Sequence, residues 1–364
     1  MLGRVVAFSN VGEKFKIEEV QVPDPEPGAA VVRVTMAGIC GSDLHMWRGD
    51  VPNAGMAAGH EMVGRIAQLG AGVSTDSLGK PLKEGDRVTY PYFYPCRRCP
   101  ICLRGDFAAC PNEVARRPVG EAPFLTGAYA DYYYLRPNHH VFRVPDELSD
   151  ELVTPVNCAL AQVTYGLERA GLRAGDSFVT QGAGGLGLSA LAVARSMGAR
   201  PLIAIDGQSN RLELAKRFGA DETILIADFP EEAERVARVR QLTDGIGADV
   251  VADFVGMARV LPEGLAMTRN GGTYLEVGNI SPTDEVALRP SQLARGNKRI
   301  VGVLHYNPWA IPVALDFLLR NRETYPFHEV ISHQFPLAEI DQAFEQCEWA
   351  GRTGSSVIRG VLVP

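Results

Sequence analysis

The chain has 364 residues, 46% hydrophobic and 22% charged, so it can bury a substantial core, and its length suggests two or three domains. Its 36 basic and 43 acidic residues leave a formal net charge of −7 with no sustained Lys/Arg block, which argues against a nucleic-acid-binding face. No apolar run approaches the roughly 18–20 residues that span a bilayer, and the opening MLGRVVAFSN lacks the apolar stretch and cleavage pattern of a signal peptide, so a cytoplasmic protein without membrane contact is expected.

Up to about residue 150 the short runs GRVVAF, AAVVRVTM, GDRVTY and GAYADYYYL, bounded by Pro and Gly clusters, read as strands, and helical periodicity is scarce. From about residue 158 apolar strands alternate with amphipathic stretches: SFVTQGA, LGLSALAVARSMGA, PLIAID, NRLELAKRFGA, DETILI, EEAERVARVRQLTD, ADVVADFVG and GGTYLEVG. That rhythm predicts βαβ units and a doubly wound parallel sheet, an α/β fold. Beyond about residue 307 the sequence predicts a helix at PWAIPVALDFLL, a strand at HEVISHQF, a helix at PLAEIDQAFEQCEW and a last strand in SSVIRGVLV.

In SFVTQGAGGLGLSALAVA, Gly182, Gly184 and Gly187 form G-x-G-x-x-G between a strand and a helix. The first glycine permits the tight turn, the second lets backbone approach a pyrophosphate, and the third allows close helix–strand packing. The whole turn, with Gly185 and Leu186, is therefore a candidate cofactor-binding segment. Asp206 closes the next strand 19 residues past Gly187, where a carboxylate would accept the ribose hydroxyls and repel a 2′-phosphate. NAD is expected over NADP, although Arg211 could pair with a phosphate or lie along the ribose.

The chain has seven cysteines, and Cys96, Cys99, Cys102 and Cys110 form C-x2-C-x2-C-x7-C. Four thiolates so close in sequence can wrap one tetrahedral Zn²⁺ with no open position, or serve an iron–sulfur cluster. Cys40, His60 and Cys158 are scattered; two thiolates and an imidazole would leave one zinc position open to water or substrate. Singly, each has a simpler reading as a core residue.

Together GICGSDLH, AAGHE, KEGDRV, the cysteine lobe, the Cys158 segment and GAGGLG resemble the zinc-dependent medium-chain alcohol dehydrogenase family over essentially the whole chain. The resemblance implies a GroES-like β-rich catalytic domain at 1–157 with a structural zinc lobe at 95–111. A Rossmann NAD-binding domain at 158–307 follows, and a C-terminal segment at 308–364 returns to the catalytic domain. It implies two zinc ions per subunit, one held by Cys40, His60 and Cys158, the ligation known for alcohol dehydrogenases, and a structural one held by the four lobe cysteines. Asp43 resembles the carboxylate that orients the ligand histidine. Glu61 resembles an acidic neighbour of the metal, Ser42 the hydroxyl beside the bound alcohol, and His45 the outer end of a proton relay. Arg359 resembles a phosphate contact, and Val277 and Gly278 resemble backbone contacts to the nicotinamide. A small alcohol or carbonyl substrate and a homodimer or homotetramer are implied.

The sequence departs from the family pattern at three places. Gly41 stands where some members carry a phosphate-binding arginine, and Gln162 where many carry a threonine near the nicotinamide. Cys158 replaces the glutamate of many polyol-type members, which tilts the expectation from polyol, sorbitol or threonine dehydrogenase chemistry toward simple alcohols, and the aromatic density of YPYFYP and LHYNPW suggests a cyclic or aryl one. A metal-stabilised binding protein without catalysis would leave the catalytic segments unexplained.

Overall fold

The computed structural model describes residues 1–114, 117–348 and 358–364, in two compact units. The first comprises Met1–Ala161, Asn307–Arg322 and Phe327–Pro364; the second comprises Gln162–Tyr306 with Glu323–Pro326. Cys158 thus belongs to the same unit as Cys40 and His60.

The first unit opens with an antiparallel pair, β1 (Leu2–Ala7) and β2 (Lys16–Gln21). Its main sheet is built on β3 (Ala30–Gly38), which pairs antiparallel with β4 (Glu61–Leu69). Strand β5 (Arg87–Thr89) pairs with β4, β6 (Tyr132–Leu135) with β3, and β7 (Phe142–Arg143) with β5. All four residues of β6 are buried; the remainder of GAYADYYYL is irregular. Between β3 and β4 runs a helix the sequence did not announce, α1 (Gly41–Arg48). It is eight residues long and buries only Asp43 and Leu44, too small an apolar stripe to register as helical periodicity. Short helices α2 (Pro100–Leu103) and α3 (Asp150–Val153) precede a π-helical turn at Val156–Leu160, which carries Cys158.

Helix α4 (Ala161–Ala170) leads into the second unit, whose sheet comprises β8 (Phe178–Gln181), β9 (Leu202–Asp206), β10 (Glu222–Leu225), β11 (Ala248–Asp253), β12 (Thr268–Glu276) and β13 (Arg299–Gly302). All neighbours are parallel, in the order β10-β9-β8-β11-β12-β13, which is the 3-2-1-4-5-6 order of a dinucleotide-binding sheet. Strands β8 and β9 are wholly buried, as sheets covered by helices on both faces require. The connections carry α5 (Gly185–Ser196), α6 (Ser209–Arg217), α7 (Glu232–Leu242), α8 (Val260–Met267) and α9 (Pro290–Gly296).

The chain then returns to the first unit. Helix α10 (Ala310–Asn321) buries Ile311, Ala314, Leu315 and Leu318, the i, i+3, i+4, i+7 stripe of an amphipathic helix. The predicted strand HEVISHQF is only half realised. Phe327–Glu329 form a 3-10 turn that buries Phe327 and Val330 three residues apart, and β14 spans His333–Pro336. After α11 (Ile340–Cys347), β15 (Gly360–Val363) joins β14 to β3.

Candidate active site

Cys40 precedes α1 and lies at its N-cap. Its N–H donates to Asp43 Oδ2 at 3.1 Å, so the first turn is closed by Asp43 itself. The same fully buried carboxylate accepts the Tyr129 hydroxyl at 2.8 Å and faces His60 Nδ1 at 3.1 Å. With Nδ1 engaged, the imidazole presents Nε2 to a metal. Ser42 Oγ lies 3.4 Å from that Nε2.

His60 stands immediately before β4, and Cys158 reaches it because Asn157 ties the π-helical turn to that strand. Asn157 Oδ1 accepts the Met62 N–H at 3.2 Å, while Nδ2 donates to the carbonyls of His60 at 3.1 Å and Tyr90 at 2.9 Å. The ligand atoms of Cys40, His60, Glu61 and Cys158 all lie within 4.8 Å of one another, every residue buried. A tetrahedral zinc with Zn–S near 2.3 Å sets ligand atoms about 3.8 Å apart, so this donor set fits a zinc ion. Glu61 lies within this group, beside the three expected ligands.

The buried groups of the cluster polarise one another. Hydrogen bonding from the Cys158 thiol draws the Cys40 thiol well below its ordinary value, against the effect of burial, and Cys158 is raised in turn by Cys40 and by burial. Burial works to lower the His60 pKa, yet Asp43 and then Cys40 outweigh it and push it up to about 10. Burial pushes Glu61 up to about 7, opposed chiefly by the Arg359 guanidinium. Arg359, expected at a cofactor phosphate, is 5% exposed, and its described partner is Glu61, which Nη1 meets in a direct ion pair. On the outer part of α1, His45 Nδ1 lies 2.8 Å from Asp50 Oδ2. The Tyr92 ring packs 4.9 Å from that of His60, giving the site an aromatic wall.

In the lobe, Cys96, Cys99, Cys102 and Cys110 also bring their sulfurs within 4.8 Å of one another, which fits a closed four-thiolate zinc. Backbone amides point at the sulfurs: Cys96 N donates to Cys110 Sγ at 3.3 Å and Cys102 N to Cys99 Sγ at 3.4 Å. The Arg98 N–H leads in drawing Cys96 down to about 6. Cys347 stands apart from both clusters, and burial pushes its thiol up to about 11.

In the second unit the glycine turn follows β8. Gly182 has φ +96°, a left-handed conformation that only glycine adopts freely. A Cβ on Gly187 would meet the Gly182 carbonyl oxygen at 2.0 Å, so the third glycine lets α5 start directly against the turn. Gly184 is the N-cap of α5, and Gly185 and Leu186 form its half-buried first turn. Asp206 Oδ2 accepts the Ala183 N–H and Oδ1 the Gln208 N–H, both at 2.8 Å, while Arg211 Nη1 stands 3.8 Å from Oδ2. Val277 and Gly278 follow β12. Gln162 Nε2 donates to the Leu304 carbonyl at 2.8 Å. Asn157 and Tyr129 carried no sequence signal, since their partners lie about a hundred residues away.

Two family profiles match the chain, one described as an alcohol dehydrogenase GroES-like domain over residues 26–146, the other as a zinc-binding dehydrogenase over residues 185–320. Among curated relatives, the 5-exo-hydroxycamphor dehydrogenase of Pseudomonas putida is 35% identical, covering 92% of this chain and 93% of that enzyme. The erythritol/L-threitol dehydrogenase of Mycolicibacterium smegmatis is 30% identical over 96% of this chain and 94% of its own. Among solved structures, an alcohol dehydrogenase from Thermotoga maritima superposes with a TM-score of 0.89 over 100% of both chains at 29% identity.

Proposed function

The chain belongs to the zinc-dependent medium-chain dehydrogenase/reductase family, and on that premise we propose that it oxidises a secondary, cyclic alcohol to the ketone with NAD, reversibly. The observation that carries this reading is the convergence of Cys40, His60, Glu61 and Cys158 within 4.8 Å. Cys40, His60 and Cys158 would hold a zinc ion, which would supply Lewis acidity to the alcohol or carbonyl oxygen.

The protein's own groups do the rest. Asp43 fixes the His60 ring so that Nε2 faces the metal. Ser42, beside that nitrogen, takes the alcohol proton, which leaves through His45 to solvent. NAD held at this site would supply the two-electron acceptor, taking the hydride of the alcohol carbon as the alcohol is oxidised. Asp206 accepts the adenosine ribose hydroxyls and disfavours a 2′-phosphate, the turn Gly182–Gly187 carries the pyrophosphate, and Val277 and Gly278 offer backbone to the nicotinamide. Glu61 and Arg359 form a buried ion pair next to the residues that would hold the metal, so Arg359 is engaged with Glu61 rather than free for a phosphate. The working form is a cytoplasmic homodimer or homotetramer with the four-cysteine zinc as a structural clamp.

The Tyr92 wall against His60 and the 5-exo-hydroxycamphor relative support an apolar cyclic alcohol. The erythritol/L-threitol and sorbitol dehydrogenases among the relatives favour a polyol as the second reading. Initial rates of NADH formation on cyclic secondary alcohols, primary alcohols and polyols decide between them. Higher kcat/KM on polyols than on cyclic alcohols would reverse the choice.

A further inference from the structure

Two acids stand at the carboxyl ends of adjacent strands in the second unit. Asp253 ends β11, Glu276 ends β12, and the parallel register sets them opposite each other. Asp253 is fully buried. Its Oδ1 accepts the Val255 N–H at 2.7 Å and the Gly256 N–H also faces the carboxylate, while Oδ2 is buried and makes no well-formed hydrogen bond. Across the strand pair the side chain also meets the Glu276 carboxyl group. Glu276 Oε1 in turn accepts the Asn279 N–H at 3.1 Å. Two ionised carboxylates offer each other only lone pairs, so this contact is satisfied when one of them carries a proton.

Each acid also holds a loop. Asp253 anchors residues 254–256 and Glu276 anchors residues 277–279. A Cβ on Gly278 would lie 2.6 Å from Gly256 N and 2.7 Å from Asp253 Oδ2, so the loops touch directly above the pair. The first loop also borders the glycine turn, where a Cβ on Gly182 would meet Phe254 and Val255 at 3.2 Å. In open parallel sheets this carboxyl edge is where a dinucleotide lies.

We propose that Asp253 and Glu276 share one proton and, through it, act as positioning residues that hold loops 254–256 and 277–279 at the spacing the nicotinamide half of the cofactor requires. The inference rests on the cofactor reading given above. It adds a requirement that neither the glycine turn nor Asp206 carries, a proton kept inside the binding edge.

The surroundings supply no competing charge. Among the described residues no cation pairs with either acid. Tyr274, also on β12, gives its hydroxyl to Gln181 of β8 at 3.1 Å. Glu263 of α8 is neutralised by Arg235 of α7 at 2.6 Å. Asp249, at the far end of β11, pairs with Arg269. Arg299 of β13 donates to Thr273 Oγ1 at 2.7 Å. Burial, with the charge of Glu276 added, pushes Asp253 up to about 8.

The test is NADH affinity, read from fluorescence between about pH 6 and pH 10, in the wild type and in Glu276→Gln and Asp253→Asn. Loss of one required proton near pH 8 makes binding about tenfold weaker at pH 9 than at pH 7 in the wild type. Each variant keeps an amide N–H facing a carboxylate, with no proton to lose, and its affinity stays level across that range. A merely structural role would shift affinity equally at every pH. A wild-type affinity that does not change with pH, or a wild-type fall retained in both variants, overturns the inference. If one variant does not fold, the other and the wild-type profile decide it. Absence of NADH binding at every pH overturns the cofactor reading itself, and this inference with it.

Discussion

Asp43 Oδ1 lies 3.1 Å from His60 Nδ1 with both side chains buried, and the other oxygen of the same carboxylate holds the Cys40 N–H and the Tyr129 hydroxyl. One side chain therefore orients two of the metal donors. Asp43→Asn removes the charge and leaves only one carbonyl oxygen to accept. Zinc affinity at the catalytic cluster should fall about 10- to 100-fold, measured by competition with a chromophoric chelator. Unchanged affinity would remove Asp43 from that role.

The two cysteine clusters should separate in their zinc content and consequences. Wild-type protein is expected to hold two zinc ions per chain by elemental analysis. Cys40→Ala should hold about one, lose turnover and keep NADH binding, because the glycine turn belongs to the other unit. Cys110→Ser should also lose one zinc, but its main effect should be on thermal stability, since four thiolates within 4.8 Å cross-link a lobe with little regular structure. Full activity in Cys40→Ala holding a single zinc would overturn the catalytic assignment.

What the sequence made legible was local. The G-x-G-x-x-G turn constrains backbone within six residues, and its strand–turn–helix setting is as expected at β8 and α5. The four-cysteine lobe likewise declares itself by spacing. The other cluster is different in kind: Cys40, His60 and Cys158 are legible as a candidate metal site only through the resemblance, because a β-sheet register and a π-helical turn bring them together. Helix α1 stayed hidden because its cap is a cysteine and its buried face holds only two residues. The Arg359–Glu61 pair spans 298 positions, and the Asp253–Glu276 contact depends on one strand register. No composition or periodicity argument reaches such pairs.

Cofactor choice turns on Asp206. Its two oxygens already accept the Ala183 and Gln208 amides, so it shapes the turn as well as meeting the ribose in the proposed complex. Asp206→Ser removes the charge that repels a 2′-phosphate and frees Arg211, now 3.8 Å away, to meet one. Affinity for NADH should fall about 10- to 100-fold, the cost of a lost hydrogen bond to a charged group, while affinity for NADPH should rise. Titration of both cofactors checks this, and an unchanged NADH to NADPH ratio would contradict it.

His139, packed against Pro91 and Tyr90, predicts an acid weakness. Its Nε2 lies 2.8 Å from the Pro91 carbonyl oxygen, so that nitrogen carries the hydrogen, while Nδ1 is buried without a partner. Burial, assisted by the charges of Arg97 and Arg136 against the Pro91 bond, pushes its pKa from 6.5 down to about 4. The unfolded chain takes up this proton below about pH 6.5 and the folded chain only below about pH 4. Stability from this residue is therefore complete above pH 6.5 and is lost as the pH falls toward 4, by about 2 to 3 kcal/mol at pH 4.5. His139→Gln keeps a donor for Pro91 and removes the titration. Comparing denaturation midpoints at about pH 7 and pH 4.5, the wild type should lose more than the variant by roughly that amount. Equal losses would show that His139 takes its proton in the folded protein as easily as in the unfolded chain.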